Sequence, residues 1–274
     1  MELNATLRQI EEAEVVSQQE IGRGYWRLTL RAPGIARSAR PGQFVHLRLP
    51  GLDPAYLLRR PFSLHKVAGE TIAILYKVIG VGTKAMVRLE PKSRLNVMGP
   101  LGNGFPPVPS GVTPLLIGGG YGSAPLFFLA ERSGTRGIVF LGGRSQEDLL
   151  GGSDFETLGW EVQTATEDGT AGKRGLVTDL LTEWLEAHPG DPTEWYACGP
   201  DGMLKAVALL AERKGVRAWL SLDRRMGCGA GVCLACVVRV RRSPAEGGGW
   251  KWARVCQDGP VFESREVIWE EETP

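Results

Sequence analysis

The sequence predicts an α/β plus β chain of three units in series: an N-terminal antiparallel β-barrel over residues 1–105, a doubly wound parallel sheet over 106–218, and a small metal-held unit over 219–274. Three observations carry this reading. Six short β-type runs fill the first part of the chain, strands and helices alternate through the middle, and four of the five cysteines crowd between Cys228 and Cys256. At 274 residues the chain also exceeds one ordinary domain of roughly 100–200 residues.

The six runs are TLRQIEEAEVVSQ, YWRLTLRAP, QFVHLRLP, FSLHKVAG, TIAILYKVI and SRLNVMGP. Alternation in FVHLRL and IAILYKV turns one face inward, as the wall of a closed barrel requires. A Pro-rich linker, PPVPSGVTP, follows. Next come a strand LLIGGG, a helix APLFFLAERSG, a strand GIVFLGG, a helix around QEDLL and a strand WEVQTATED. A helix GLVTDLLTEWLEAH, a strand EWYACG, a helix DGMLKAVALLAERKG and a strand RAWLSLD complete the unit. Strands alternating with helices at this pitch build a doubly wound sheet. The last stretch is too short to hold a core without its metal, and SPAEGGGWK within it reads as an exposed hairpin loop.

Charge excludes some partners. Lys plus Arg number 32 against Asp plus Glu 31, so no broad attraction to nucleic acid or anionic membrane is expected. Glycine is 37 of 274 residues, well above the usual frequency of about 7%, which points to tight turns and close backbone approach to ligands. The most apolar segment, 113–130, is broken by Gly118, Gly119, Gly120, Gly122 and Pro125 and makes a poor membrane span. No secretory signal stands at the N-terminus. A soluble protein of the cytoplasm is expected, where clustered cysteines serve metal or redox chemistry.

Cys228, Cys233, Cys236 and Cys256 are spaced C-x4-C-x2-C-x19-C, the pattern of a plant-type 2Fe-2S cluster held by four thiolates. Zinc is the first rival, but structural zinc usually takes two C-x2-C pairs, and only one is present. Gly227, Gly229 and Gly231 suit a loop whose N–H groups turn toward sulfur. Iron–sulfur ranks ahead of zinc, and zinc ahead of a disulfide.

Four further motifs carry chemistry. In RRPFS, Arg59 and Arg60 precede Pro61, Phe62 and Ser63; a guanidinium suits phosphate, and a hydroxyl can both donate and accept. YKVIGVGT follows, with Gly82 and Thr83 at the head of an expected helix beginning after Gly82. GGGYGSAPL sits between a strand and a helix, where Gly118, Gly119, Gly120 and Gly122 let a pyrophosphate approach the backbone. Cys198, Gly199 and Pro200 end a strand; the bland reading of Cys198 is a small buried residue. Arg144 is a slight hint of a 2′-phosphate, and of the scattered histidines His46, His65 and His188 only His65 follows a motif.

RRPFS resembles the R-x-Y/F-S flavin motif of the ferredoxin-reductase family. The resemblance implies FAD, with Arg60, Pro61 and Phe62 around it and Ser63 near the flavin N5. It gives Leu75, Tyr76 and Lys77 to the ring and ribityl region and Gly82 and Thr83 to phosphate. GGGYGSAPL is similar to that family's nicotinamide nucleotide turn, which implies NAD, with Cys198, Gly199 and Pro200 on the hydride path. Ser63 and Cys198 are then the catalytic candidates. With CQDGPVF and the compact C-terminal cluster, the order of motifs resembles the electron-transfer subunits of NAD-linked, type B dihydroorotate dehydrogenases. That implies an FMN-containing dihydroorotate dehydrogenase catalytic subunit as partner, in a two plus two heterotetramer of pyrimidine biosynthesis. The nineteen-residue gap before Cys256 is longer than the family pattern. Two alternatives stand beside this: a flavin and iron–sulfur subunit of another complex, such as a sulfide dehydrogenase, hydrogenase or transhydrogenase, and a zinc-stabilised binding module.

Overall fold

A computed structural model describes residues 8–49 and 57–269. Strands β1 (Gln9–Gly22), β2 (Tyr25–Arg31), β3 (Phe44–Arg48), β4 (Arg60–Ala68), β5 (Thr71–Lys77) and β6 (Arg94–Leu101) close an antiparallel barrel in the order β1-β2-β5-β4-β3-β6. Each of the six expected runs contributes a strand; the start of the first, at Thr6, lies outside the described residues. Leu28, Leu30, Val45, Leu47, Leu64, Ile74 and Val97 fill the interior.

Two short helices interrupt the barrel: α1 (Pro33–Ser38) and α2 (Val81–Met86). The first has no local signal beyond its proline. Its exposed N–H groups are met from β1, where Glu11 accepts from Gly34 and Ile35 at 2.9 Å each, a cap supplied across the fold. The second begins at Val81, one residue before Gly82.

The middle unit is built from β7 (Thr113–Gly119), α3 (Ser123–Arg132), β8 (Ile138–Gly143), α4 (Gly152–Thr157), β9 (Glu161–Thr166), β10 (Lys173–Arg174), α5 (Val177–Ala187), β11 (Thr193–Cys198), α6 (Asp201–Lys214) and β12 (Ala218–Ser221). The helix expected at QEDLL is instead a single 3-10 turn, Gln146–Asp148, with α4 a few residues later. Tertiary bonds win there: Asp148 is taken by Tyr25 and Lys77 of the barrel, and the Gln146 N–H by Thr170.

The C-terminal stretch adds a hairpin of β13 (Val237–Arg241) and β14 (Trp250–Arg254), then β15 (Val261–Glu263). The expected loop joins the two hairpin strands over Ser243–Gly249, mostly exposed, while Trp250 and Lys251 of the expected stretch belong to β14. β15 does not stay with the hairpin. It pairs antiparallel with β12 and closes the seven-stranded order β10-β9-β8-β7-β11-β12-β15. The expected boundary at residue 218 meets the first residue of β12, so that strand runs on past it. Cys236, Val255, Cys256 and Phe262 lie in the same apolar cluster as Leu115, Ile117 and Trp195 of the sheet.

Candidate functional site

β7 and β11 are parallel neighbours, and from them the chain proceeds outward in opposite directions, to β8 on one side and β12 on the other. The carboxyl ends of such a pair form the crevice where open α/β sheets bind ligands. Both glycine motifs lie there, and their backbones touch. A Cβ at Gly122 would stand 2.1 Å from the Cys198 carbonyl oxygen, and one at Gly119 would stand 2.8 Å from Pro200 Cδ. Gly199 meets Gly119 in the same way, at 3.1 Å. Glycine is required because the two turns pack main chain on main chain.

A cavity of about 190 Å3 opens beside this crevice and is walled by all three units. The barrel contributes Pro61, Phe62 and Ser63 from β4, Leu75, Tyr76 and Lys77 from β5, and Thr83 from α2. Gly122 and Cys198 come from the sheet, and Asp223 and Met226 from the segment leading to the cysteines. Phe62 and Tyr76 meet edge to face, 6.0 Å between centroids. The Tyr76 hydroxyl is buried without a partner among the described residues, and burial raises its pKa, so it keeps its proton. Burial also pushes the Cys198 thiol up to about 12 against a lowering bond from Ser221. A neutral thiol lines a wall; it is no nucleophile.

Some expected residues are engaged elsewhere. Lys77 is held by Asp148 at 3.0 Å and Tyr25 at 2.8 Å. Arg59 donates to the His46 carbonyl and to Asn96, whereas Arg60 lies beside Gly82, whose Cβ would stand 3.3 Å from Arg60 Nε. The Thr83 hydroxyl accepts from the Ile79 and Gly80 N–H groups, and α2 is one short helix of six residues. Gly118 packs on Leu141, and Gly120 takes φ +55°. Arg144 is exposed, and His65 is buried with Nδ1 3.4 Å from the Ala124 carbonyl. A larger groove of about 690 Å3, between the β13–β14 hairpin and β15, contains none of the expected residues; its Lys251, Arg254 and Arg265 are paired with Glu246, Asp258 and Glu263.

The cysteine loop is organised around sulfur. Cys228 Sγ accepts N–H bonds from Ala230, Val232 and Cys233 at 3.3–3.5 Å. Cys233 Sγ accepts from the Cys228 N–H, Cys256 Sγ from Gly231 at 3.2 Å, and Cys236 Sγ from the Cys256 N–H. Burial works to raise the Cys228 thiol, but these backbone bonds outweigh it and bring it down to about 6. All five thiols are free. The N–H to sulfur bonds between cysteines run in pairs, Cys228 with Cys233 in both directions and Cys256 to Cys236, and no group of three or more His, Cys, Asp or Glu side chains among the described residues is set to hold a single metal ion. Thiolates offered in pairs and backed by N–H donors fit a two-iron cluster.

Sequence reasoning missed Asp223 and Met226, although LDRRM directly follows β12, a strand flanking the crevice. It also passed over His46, a polar residue between Val45 and Leu47.

Residues 223–268 match the profile described as the iron-sulfur cluster binding domain of dihydroorotate dehydrogenase B, and residues 116–208 match the oxidoreductase NAD-binding domain. A protein of Enterococcus faecalis named dihydroorotate dehydrogenase B (NAD(+)), electron transfer subunit, is 38% identical over 268 residues, covering 95% of this chain and 99% of the relative. The chain belongs to the dihydroorotate dehydrogenase B electron transfer subunits. The namesake of Desulforamulus reducens is 36% identical over 271 residues, covering 96% and 100%. Among solved structures, an NADH-dependent reduced ferredoxin-NADP oxidoreductase described for flavin-based electron bifurcation aligns with TM-score 0.80 at 30% identity, over 94% of this chain and 90% of that one. Membership in this family favours the iron–sulfur reading of the four cysteines over zinc. An electron transfer subunit implies a catalytic partner. Among the described residues no helix is long and apolar enough to cross a membrane.

Proposed function

We propose that this chain passes electrons from an FMN-containing catalytic subunit that oxidises dihydroorotate, through a 2Fe-2S cluster and FAD, to NAD+, in a two plus two heterotetramer of the cytoplasm serving pyrimidine biosynthesis. One observation carries the reading: a single cavity is bounded by the barrel, the crevice of the nucleotide sheet and Met226, two residues before Cys228. A flavin exchanges hydride with nicotinamide and single electrons with an iron–sulfur cluster, so it must lie between the two.

The residues divide that work. Phe62, Leu75 and Tyr76 give an apolar wall for a ring and exclude water from it. Ser63 offers a hydroxyl able to donate or accept, which suits a ring nitrogen in either redox state. Arg60, beside Gly82 and Thr83, meets pyrophosphate. The turns of Gly118 to Gly122 and Cys198 to Pro200 receive the nicotinamide nucleotide, with Cys198 as a neutral wall against it. Cys228, Cys233, Cys236 and Cys256 hold the irons. Lys77 braces the barrel against the nucleotide unit through Asp148.

Cys233→Ser separates these functions. The variant is expected to lose the visible iron–sulfur bands while FAD stays bound and NADH-driven dye reduction persists within about a factor of two. Loss of both together would show that the flavin site depends on the cluster loop and would overturn this division of roles. The partner is identified by copurification from native extract.

A further inference from the structure

His46 is fully buried, at 0% exposure, and among the described residues neither of its ring nitrogens has a partner. It stands in β3 between Val45 and Leu47, whose side chains enter the barrel core. Strand alternation therefore turns the imidazole to the outer face. There it meets the cysteine loop. A Cβ at Gly229 would lie 2.5 Å from His46 Nδ1, 2.8 Å from Cε1 and 3.1 Å from Cγ. The Nδ1 edge of the ring thus lies against the backbone that immediately follows Cys228. The strand is pinned from behind, since Arg59 donates to the His46 carbonyl at 3.3 Å and to Asn96 at 3.0 Å. Burial first, then Arg59 and Arg60, brings the imidazole down to about 4, so at neutral pH it carries one N–H and one lone pair. A buried donor without a partner among the described residues is uncommon enough to call for an acceptor from elsewhere.

We propose that His46 is a positioning residue for the iron–sulfur cluster: it supports the Cys228–Cys233 loop from the barrel and offers an imidazole N–H to the sulfur side of that loop, raising the cluster's reduction potential. Each electron added to the cluster makes its sulfurs stronger acceptors, so a nearby donor favours the reduced form. The same contact joins the cluster loop to β3, whose Phe44 lines the cavity assigned to the flavin. The proposal rests on the reading that the four cysteines hold a 2Fe-2S cluster.

The test uses the full chain reconstituted with iron, sulfide and FAD, with the cluster followed by EPR in a redox titration. His46→Phe, which keeps bulk but no donor, is expected to shift the reduction equilibrium about tenfold toward the oxidised form, a fall of about 59 mV for one electron, at unchanged iron content. His46→Gln, which restores an N–H donor, recovers at least half of the shift. An iron-replete His46→Phe chain with an unmoved potential overturns the proposal and leaves the cluster reading standing. Should the variants not fold, nitrogen-15 histidine in the native chain decides. The chain has only three histidines, and a histidine nitrogen coupled to the spin of the reduced cluster is expected in pulsed EPR; its absence overturns the proposal. A native chain that takes up no iron overturns both this proposal and the reading beneath it.

Discussion

The barrel closes around a core that is almost wholly its own, whereas the cysteine-bearing C-terminal unit has none to itself. Among the described residues of the barrel's apolar cluster only Phe128, from α3, comes from outside. Cys236, Val238, Val255, Cys256 and Phe262 instead extend the core beneath the nucleotide sheet, and β15 is an edge strand of that sheet. The joins differ in kind as well. The barrel meets the nucleotide unit through apolar contacts at Phe44, Leu101 and Phe128 and, around them, through ion pairs such as Arg23–Glu147, Arg27–Asp154, Lys66–Glu131 and Lys77–Asp148, each with its cation on the barrel side. One unit has its own core and a seam rimmed by charge; the other shares the sheet's core and is dependent on it.

The sharpest way to break this contrast is Phe262→Ala. Truncating a buried phenylalanine costs about 3–5 kcal/mol, and here the loss falls on the sheet and the cluster unit together. Cluster absorbance and the fluorescence of Trp195 and Trp219 should disappear in one thermal transition, at a lower temperature than in the native chain. Cluster bands that outlive the sheet would mean the C-terminal unit folds by itself.

A second effect, of about 3 kcal/mol, concerns that seam. His65 on β4 is buried against α3, with its ring 4.7 Å from Phe127 and Nδ1 facing the Ala124 carbonyl. Burial first, then Arg27 and Lys66, holds it down to about 4, against a favourable bond from Ala124. Because the folded value lies below the unfolded one, near 6.5, the unfolded chain binds the proton more readily. Stability is complete above about pH 6.5 and falls as pH drops from there to about 4, by about 1.4 kcal/mol for each tenfold difference in proton affinity between the two states. Acid should therefore loosen the barrel from the nucleotide unit before the shared core opens. Buried His46, also held down to about 4, contributes over the same range, so His65→Phe should reduce the slope of the urea midpoint between pH 6.5 and 4 without abolishing it, and an unaltered slope would remove His65 from the seam.

The same contrast explains what was legible in the sequence. The barrel strands announce themselves because each alternates over a core made locally, and the cysteines because thiolate ligands leave a spacing. The cap of α1 by Glu11, the loss of the helix at QEDLL to Asp148's bonds with Tyr25 and Lys77, and the crossing of β15 onto β12 all depend on partners far along the chain. The site divides in the same manner. Ser63, Tyr76, Gly122 and Cys198 belong to motifs and converge on one cavity, while Asp223, Met226 and His46 matter only because two other units close over them. His46 is instructive: alternation in FVHLRL suggests one outward face, yet Phe44, Val45, His46 and Leu47 are all buried because the second face is covered too, His46 by the cysteine loop and Phe44 within the sheet's apolar cluster.

The smallest effect is expected on the seam's outer edge. Arg23 and Glu147 meet at 3.3 Å with side chains 83% and 54% exposed, so solvent and salt screen them, and pairs of this kind are worth roughly 0–1 kcal/mol. Lys77 and Asp148 are closer and less exposed, and Tyr25 completes a bonded triad. Arg23→Ala should leave the thermal midpoint of the barrel nearly unmoved. Lys77→Met should lower it by more, and added salt should weaken the native chain more than the Lys77 variant. Equal effects from both replacements would show that the seam acts as a diffuse field of charge, and the distinction drawn between its core and its rim would fail.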